Sequence, residues 1–289
     1  MIMYEKLTGF ADEIAQDLDT QIISFQKLGI KYIEMRGVDG KNLIHHDNDK
    51  VKEIKNRLDD AGMALSALGS PLGKIGITDP FEPHFEEFKR AVEIAHAMET
   101  QYIRMFSFYV RDQDRQEKNI KELVFDRLRQ FAEYAKANDI CLLHENEKGI
   151  YGEKAKECLE IMELFGSDHF KAIFDFANFV QAGQNTLDAY SCLKDHIAYI
   201  HVKDAISLSG KVVPVGFGDG QVETILKNLF ENGFNGFLSL EPHLFDFEGF
   251  AGLEKGQSKL PVFEEGKKLS GFESFSLAHD SLALLLEKI

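Results

Sequence analysis

Tryptophan is absent from this chain of 289 residues, and cysteine occurs three times, as Cys141, Cys158 and Cys192. Three scattered thiols with no CxxC pair make neither a disulfide framework nor a cysteine-built zinc site. Positive charge is in deficit: 33 Lys and Arg stand against 48 Asp and Glu, a formal net charge of −15. A nucleic-acid partner needs a basic stripe, which this balance argues against, although local charge can still receive a small anionic substrate. No apolar run reaches the roughly 18 residues of a membrane helix. The opening segment Met1-Ile-Met-Tyr-Glu-Lys-Leu-Thr-Gly9 lacks a basic stretch followed by an apolar one. No signal peptide is therefore expected, and a soluble cytoplasmic protein without a membrane partner is the default.

The remaining composition is that of an ordinary globular protein, 44% hydrophobic and 28% charged. The length suits one large α/β domain or two ordinary ones. A short apolar run, a polar break and a helical stripe repeat along the chain. The first run is Leu7 to Asp12, followed by Leu18, Ile22 and Phe25 at helical spacing and by Gly29 as a C-terminal stop. The second is Lys31 to Arg36, with a helix carrying Val51, Ile54 and Leu58 that ends at Gly62. The third is Ala64 to Gly69, with Phe81, Phe85, Phe88, Val92, Ala95 and Met98 as a core stripe. The fourth is Tyr102 to Ser107, with a helix over about 118–137, and the fifth is Ile140 to Glu145, with a helix over about 153–164. The sixth is Phe170 to Asp175, followed by a helix near Leu187 to Leu193. The seventh is Ile197 to His201, with Val222, Ile225, Leu226 and Leu229 behind it. The eighth is Gly236 to Glu241, and a last helix spans about 272–286.

Strands alternating with helices imply parallel crossovers. About eight such units point to a single (β/α)₈ barrel, a fold of roughly 250 residues. An open doubly wound sheet is the alternative, but it usually carries a glycine-rich dinucleotide turn after its first strand. Gly9-Phe-Ala-Asp-Glu13 is not one. One domain over 1–289 is expected, with the irregular stretch at about 242–270 as a long loop at the active-site mouth.

In such a barrel the chemistry sits at the C-terminal ends of the strands. The fifth run ends in Glu145, the sixth in Asp175, the seventh carries His201 near its end, and the eighth ends in Glu241. Any one of these is ordinary, since a carboxylate after a strand often caps the next helix. Four in succession, each behind apolar strand residues, form a set of three oxygen ligands and one nitrogen. That set suits one divalent ion, with little discrimination among manganese, magnesium, cobalt and zinc. An ion would also relieve the repulsion among three clustered carboxylates.

Several segments carry a resemblance: Leu143-His-Glu-Asn-Glu-Lys-Gly-Ile-Tyr-Gly152, Phe174-Asp-Phe-Ala-Asn178, His201-Val-Lys-Asp204, Pro214-Val-Gly-Phe-Gly-Asp-Gly220 and Leu240-Glu-Pro242. They resemble the sugar phosphate isomerase/epimerase proteins of the xylose-isomerase-like TIM barrel superfamily. That superfamily includes ketose 3-epimerases, hydroxypyruvate isomerase, inosose dehydratase and endonuclease IV. The resemblance implies a metal held by Glu145, Asp175, His201 and Glu241. It also implies a catalytic pair, Glu145 and Glu241, moving a proton beside a carbonyl of a small sugar or polyol. The epimerases commonly carry a histidine three residues after the strand-six Asp, where this chain has Asn178. His201-Val-Lys-Asp204 resembles the dehydratase branch equally well, so an inosose dehydratase-like lyase stays open.

Lys203 shares the inward face with His201 and is either a substrate contact or a partner of the metal-site carboxylates. Glu147 and His243 are further substrate-binding candidates at the mouth, with Asn178. Glu34 and Arg104 are expected to form a structural ion pair. His144 should face the helices as a core histidine, and His45 and His46 should be surface residues near the mouth. Gly216, Gly218 and Gly220 form either a plain loop or a phosphate-binding nest. A non-catalytic sugar-binding protein is the reading from another class. An endonuclease IV-like DNA hydrolase is disfavoured by the net charge and the single ligand histidine. The 24 phenylalanines leave room for a contact between copies in a homo-oligomer.

Overall fold

A computed structural model of the chain describes residues 4–114, 119–244 and 268–289. The barrel strands are β1 (Leu7–Gly9), β2 (Tyr32–Met35), β3 (Ala64–Leu68), β4 (Tyr102–Met105), β5 (Cys141–Glu145), β6 (Phe170–Asp175), β7 (Ile197–Val202) and β8 (Phe237–Leu240). They form one sheet in the order β1-β8-β7-β6-β5-β4-β3-β2, every ladder parallel. The two end strands are consecutive in the chain and approach within 8 Å between Cα atoms. The sheet therefore curls into a (β/α)₈ barrel, and the open doubly wound alternative is excluded.

The crossovers are α1 (Leu18–Lys27), α2 (Asn48–Asp60), α3 (Glu82–Ala97), α4 (Ile120–Ala137), α5 (Ala155–Phe165), the pair α6 (Phe176–Gln181) and α7 (Thr186–Leu193), and α8 (Val222–Glu231), and α9 (Gly271–Leu286) follows the last strand. Local chemistry sets their ends. Asp17 and Asp47 cap α1 and α2 by accepting the amides of Thr20 and Lys50. Gly29 and Gly62 stop these helices with φ of +71° and +67°, a conformation that disfavours a side chain. Ser270 and Glu273 form a reciprocal capping box on α9. The aromatic stripe of α3 packs against α4, where Phe88 and Phe131 lie 4.7 Å apart between ring centroids. No helix among the described residues is long and apolar enough to cross a membrane. Of the stretch expected to form a mouth loop, 245–267 lies outside the described residues.

Strand alternation sorts the barrel interior into layers. The lower layer is apolar, with Ala67, Cys141, Leu143, Ile173 and the Tyr199 ring. Polar contacts adjoin it: the Ser66 hydroxyl lies 2.8 Å from Thr8 Oγ1 and 2.9 Å from the Tyr199 hydroxyl. Ser239 Oγ donates to Glu34 Oε2 at 2.6 Å. Two positions beyond Leu143, Ile173, Tyr199 and Ser239 stand Glu145, Asp175, His201 and Glu241.

Candidate functional site

Glu145, Asp175, His201 and Glu241 are buried, and one donor atom from each lies within 4.8 Å of the others. His201 sits between two carboxylate systems. Its Nδ1 lies 3.1 Å from Glu145 Oε1, 3.6 Å from a Glu241 oxygen and 4.0 Å from Asp175 Oδ2. Its Nε2 lies 3.1 Å from Glu34 Oε2. Burial disfavours the charged ring, but Glu34 and Glu145 outweigh it and raise His201 well above the ordinary histidine range.

Glu34 departs from expectation. It pairs with His201 and Ser239, while Arg104 reaches Glu145 Oε2 at 3.2 Å. The register explains this. Arg104 on β4 stands opposite Leu143 on β5, so Glu145, two residues further, shares its inward face. β3 separates β2 from β4. Arg104 therefore pairs with Glu145, and Glu34 holds Nε2 of the imidazole while Nδ1 faces Glu145, Asp175 and Glu241.

Asp175 does two jobs with its two oxygens. Oδ1 accepts the Asn178 amide and caps α6. Oδ2 is buried and has no hydrogen-bond partner among the described residues, though Lys203 Nζ lies 3.0 Å away. Asn146 clamps the Asp175 backbone, accepting from its N–H and donating to its C=O, each at 3.0 Å. Asn178 Nδ2 donates to Asn146 O at 2.9 Å and to Glu145 Oε1 at 3.3 Å. Burial lifts the Asp175 carboxyl to about 7; Lys203 opposes the lift, and Glu241 and Glu145 add to it. For Glu145 the burial effect is outweighed by His201 and Arg104, which bring it down to about 2.

Glu241 follows β8 and accepts from Lys203 Nζ at 2.9 Å through Oε2. Its Oε1 lies 3.5 Å from Arg36 and 3.5 Å from His243 Nε2. Burial alone would raise it, but Lys203, His243 and His201 hold it well below the usual carboxylate range. Arg36 is fixed by a two-pronged contact with Asp12 at 2.8 and 3.1 Å. Its guanidinium and that of Arg104 lie 4.5 and 4.8 Å from the Phe10 ring centroid.

A cavity of about 320 Å³ opens above this floor, lined by Arg36, Asn42, Lys74, Arg104 and Glu147 among others. Asn178, Lys203, Glu241 and His243 reach its wall, and Lys74 pairs with Glu147 at 3.0 Å. Of its twelve lining residues ten are polar or charged, Pro71 and Val212 being the exceptions. Burial lowers His243 to about 4, so its ring is neutral at pH 7. Sequence reasoning passed over Glu13, which is buried beside Glu241, with Oε1 3.2 Å from His243 Nε2. Burial, with Glu241 next, raises Glu13 to about 8. The signal was its place just after β1, in the acidic pair Asp12-Glu13.

Other expected roles resolve simply. His144 is buried against Ser107 Oγ at 2.9 Å, facing the helices. His45 is exposed, whereas His46 is buried with Nε2 2.9 Å from Val38 O, which corrects its reading as a surface residue. The glycine turn is a nest, but its anion is internal. The amides of Ala205, Gly216, Gly218 and Gly220 all donate to the Asp204 carboxylate at 2.9–3.0 Å. A Cβ on Gly218 would stand 2.2 Å from Asp204 Oδ1. The phosphate reading therefore fails there.

The donor set fits a divalent ion: three carboxylates and one imidazole converge, with one donor atom of each within 4.8 Å of the others. A solved structure of the IOLI protein with a bound zinc atom is similar at a TM-score of 0.72 and 17% identity, covering 98% of each chain. A D-tagatose 3-epimerase-like protein gives 0.71 and 16%, covering 98% of this chain and 99% of that one. At such identities the likeness is one of fold. YihM of Escherichia coli (strain K12) is 28% identical over 82 residues, which is 26% of this chain and only 25% of YihM. Residues 24–260 match the family described as Xylose isomerase-like TIM barrel, and with that span and this fold the chain belongs to the family.

Proposed function

We propose that the chain is a divalent-metal-dependent isomerase or epimerase of a small sugar or sugar derivative, working by proton transfer beside a carbonyl through an enediolate. The observation that carries this reading is the convergence of Glu145, Asp175, His201 and Glu241 beneath a small, polar cavity suited to a hydroxyl-rich molecule. When bound, a divalent ion supplies stabilisation of the negative charge that develops on the substrate oxygens. The likeness to a D-tagatose 3-epimerase-like protein and to a zinc-binding one supports the same reading.

Glu145 and Glu241 come from the outer two of the four ligand-bearing strands, so a substrate lying between them presents one face to each. One carboxylate takes the proton and the other returns it. Arg104 on Glu145 and Arg36 with His243 on Glu241 hold the two carboxylates in place. Lys203, Glu147 and His243 line the cavity as donors and acceptors for substrate hydroxyls. Asn178 spends its amide nitrogen on Glu145 and Asn146, so Oδ1 is the atom it offers to substrate. That amide carries no positive charge, which favours a dehydratase as the second reading. Such an enzyme begins with the same proton abstraction and then expels a neighbouring hydroxyl.

The test is deuterium incorporation from solvent across a panel of ketoses and inososes with Mn²⁺ added. Exchange at the carbon beside the carbonyl is expected, and Glu145→Gln and Glu241→Gln should lose turnover far more than affinity. Turnover without exchange would replace this mechanism with a hydride shift. An unsaturated product would select the dehydratase, and binding without turnover would leave a sugar-binding protein.

A further inference from the structure

Lys203 is the one lysine held on the metal-ligand carboxylates among the described residues, and its place there is unusual. It follows β7, two residues after His201, so its side chain enters the barrel on the ligand face. It is 6% exposed. Its Nζ lies 2.9 Å from Glu241 Oε2 and 3.0 Å from Asp175 Oδ2. These are atoms of two of the four ligands, and His201 Nδ1 faces the same two oxygens at 3.6 and 4.0 Å. The ammonium thus sits at contact distance from oxygens that a divalent ion would also need.

An ammonium and a dication cannot both occupy one pair of carboxylate oxygens. They repel strongly in a buried site, and each demands the same lone pairs. Lys203 also has somewhere to go. It lines the cavity of about 320 Å³, and its flexible four-carbon stem can carry Nζ upward while the backbone stays fixed. The backbone is pinned one residue later, where Asp204 is gripped by four amides. Only the side chain is therefore free to answer the arrival of an ion.

We propose that Lys203 is the internal competitor of the divalent ion: its ammonium and the ion are alternative occupants of the Asp175–Glu241 oxygen pair, and ion binding moves the ammonium into the substrate cavity. This inference rests on the metal reading given above. Two consequences follow from the charge balance. Lys203 stabilises the protein when chelator is present, because it offsets clustered carboxylates. It also weakens metal affinity, because its contacts must be given up. The displaced ammonium then faces substrate, so a cationic donor enters the cavity together with the metal.

The experiment compares the full-length chain with Lys203→Met and Lys203→Gln, which keep the stem length or polarity without the charge. Melting temperature is measured in chelator and in saturating Mn²⁺, and Mn²⁺ affinity is measured by titration calorimetry. Both variants are expected to melt lower than the wild type in chelator, to recover in Mn²⁺, and to bind Mn²⁺ about tenfold or more tightly. Unchanged or weaker Mn²⁺ affinity in the variants would overturn the proposal, since Lys203 would then support the loaded site. Failure of both variants to fold even in saturating Mn²⁺ would overturn it too. If the wild type itself bound no divalent ion, the metal reading would fall first. Neither readout uses turnover, so an error in the assigned reaction leaves the result intact.

Discussion

Asp204→Ala is the substitution whose cost can be worked most directly. The Asp204 carboxylate is buried and accepts four backbone amides at 2.9–3.0 Å, closing the turn from Gly216 to Gly220 onto the end of β7. Removing it leaves four donors without an acceptor. Gly216 is exposed, so at roughly 1–3 kcal/mol for each of the three buried donors, Ala205, Gly218 and Gly220, the ceiling is about 3–9 kcal/mol. Water entering the vacated space, and relief from burying a charge, bring the expected loss to about 3–5 kcal/mol. At about 2–4 °C per kcal/mol for a chain of this size, melting should fall by about 6–20 °C. Urea unfolding followed by circular dichroism measures the loss, with the slope unchanged. Gly218→Ala supplies the cross-check, because its Cβ would stand 2.2 Å from Asp204 Oδ1. The double variant should be less damaged than the sum of the singles, by at least about 1 kcal/mol. A loss below about 0.5 kcal/mol for Asp204→Ala, or strict additivity in the cycle, would refute the cradle as the anchor of this loop.

Glu34→Gln should weaken divalent-ion binding by about 10–100-fold, because it loosens the carboxylate that orients His201; titration calorimetry with Mn²⁺ reads this, and unchanged affinity would remove Glu34 from that role. His84 accepts the Gly73 amide on Nε2 at 2.7 Å, and burial holds its pKa below the ordinary histidine value. The unfolded chain therefore takes up the proton first. The His84 contribution is complete above about pH 6.5 and is lost progressively as pH falls below that value. Urea midpoints should drop more in the wild type than in His84→Gln as pH is lowered, and parallel curves would contradict the assignment.

The barrel was legible because its signals are local. Alternation within each strand and the helical stripes behind it need no knowledge of distant residues, and the strand ends that carry Glu145, Asp175, His201 and Glu241 follow from the same periodicity. Pairing is less local. Arg104 and Glu34 share the inward face, and sequence alone joined them, but strand order sets β4 beside β5 and leaves β2 a strand away. The glycine turn shows a related limit. Three amide donors can be read in Gly216, Gly218 and Gly220, yet nothing nearby reveals that their acceptor is Asp204, up to 16 residues earlier. His46 was missed for a similar reason, since its partner is the carbonyl of Val38 across a small hairpin turn.

The divided use of Asp175 bears on how tightly an ion can be held. One oxygen closes the first turn of α6, and that turn delivers Asn178 onto Glu145. Folding of the helix thus sets the rotamers of Asp175 and Glu145, two of the four side chains that fit a divalent ion, before any ion arrives. Freezing a side chain at the moment of binding costs about 0.5–1.5 kcal/mol, and here that loss has already been met by the fold. The same arrangement makes aspartate hard to replace by glutamate at this position. An extra methylene would move one oxygen off the helix or the other off the site, so a charge-preserving change would degrade binding and folding together.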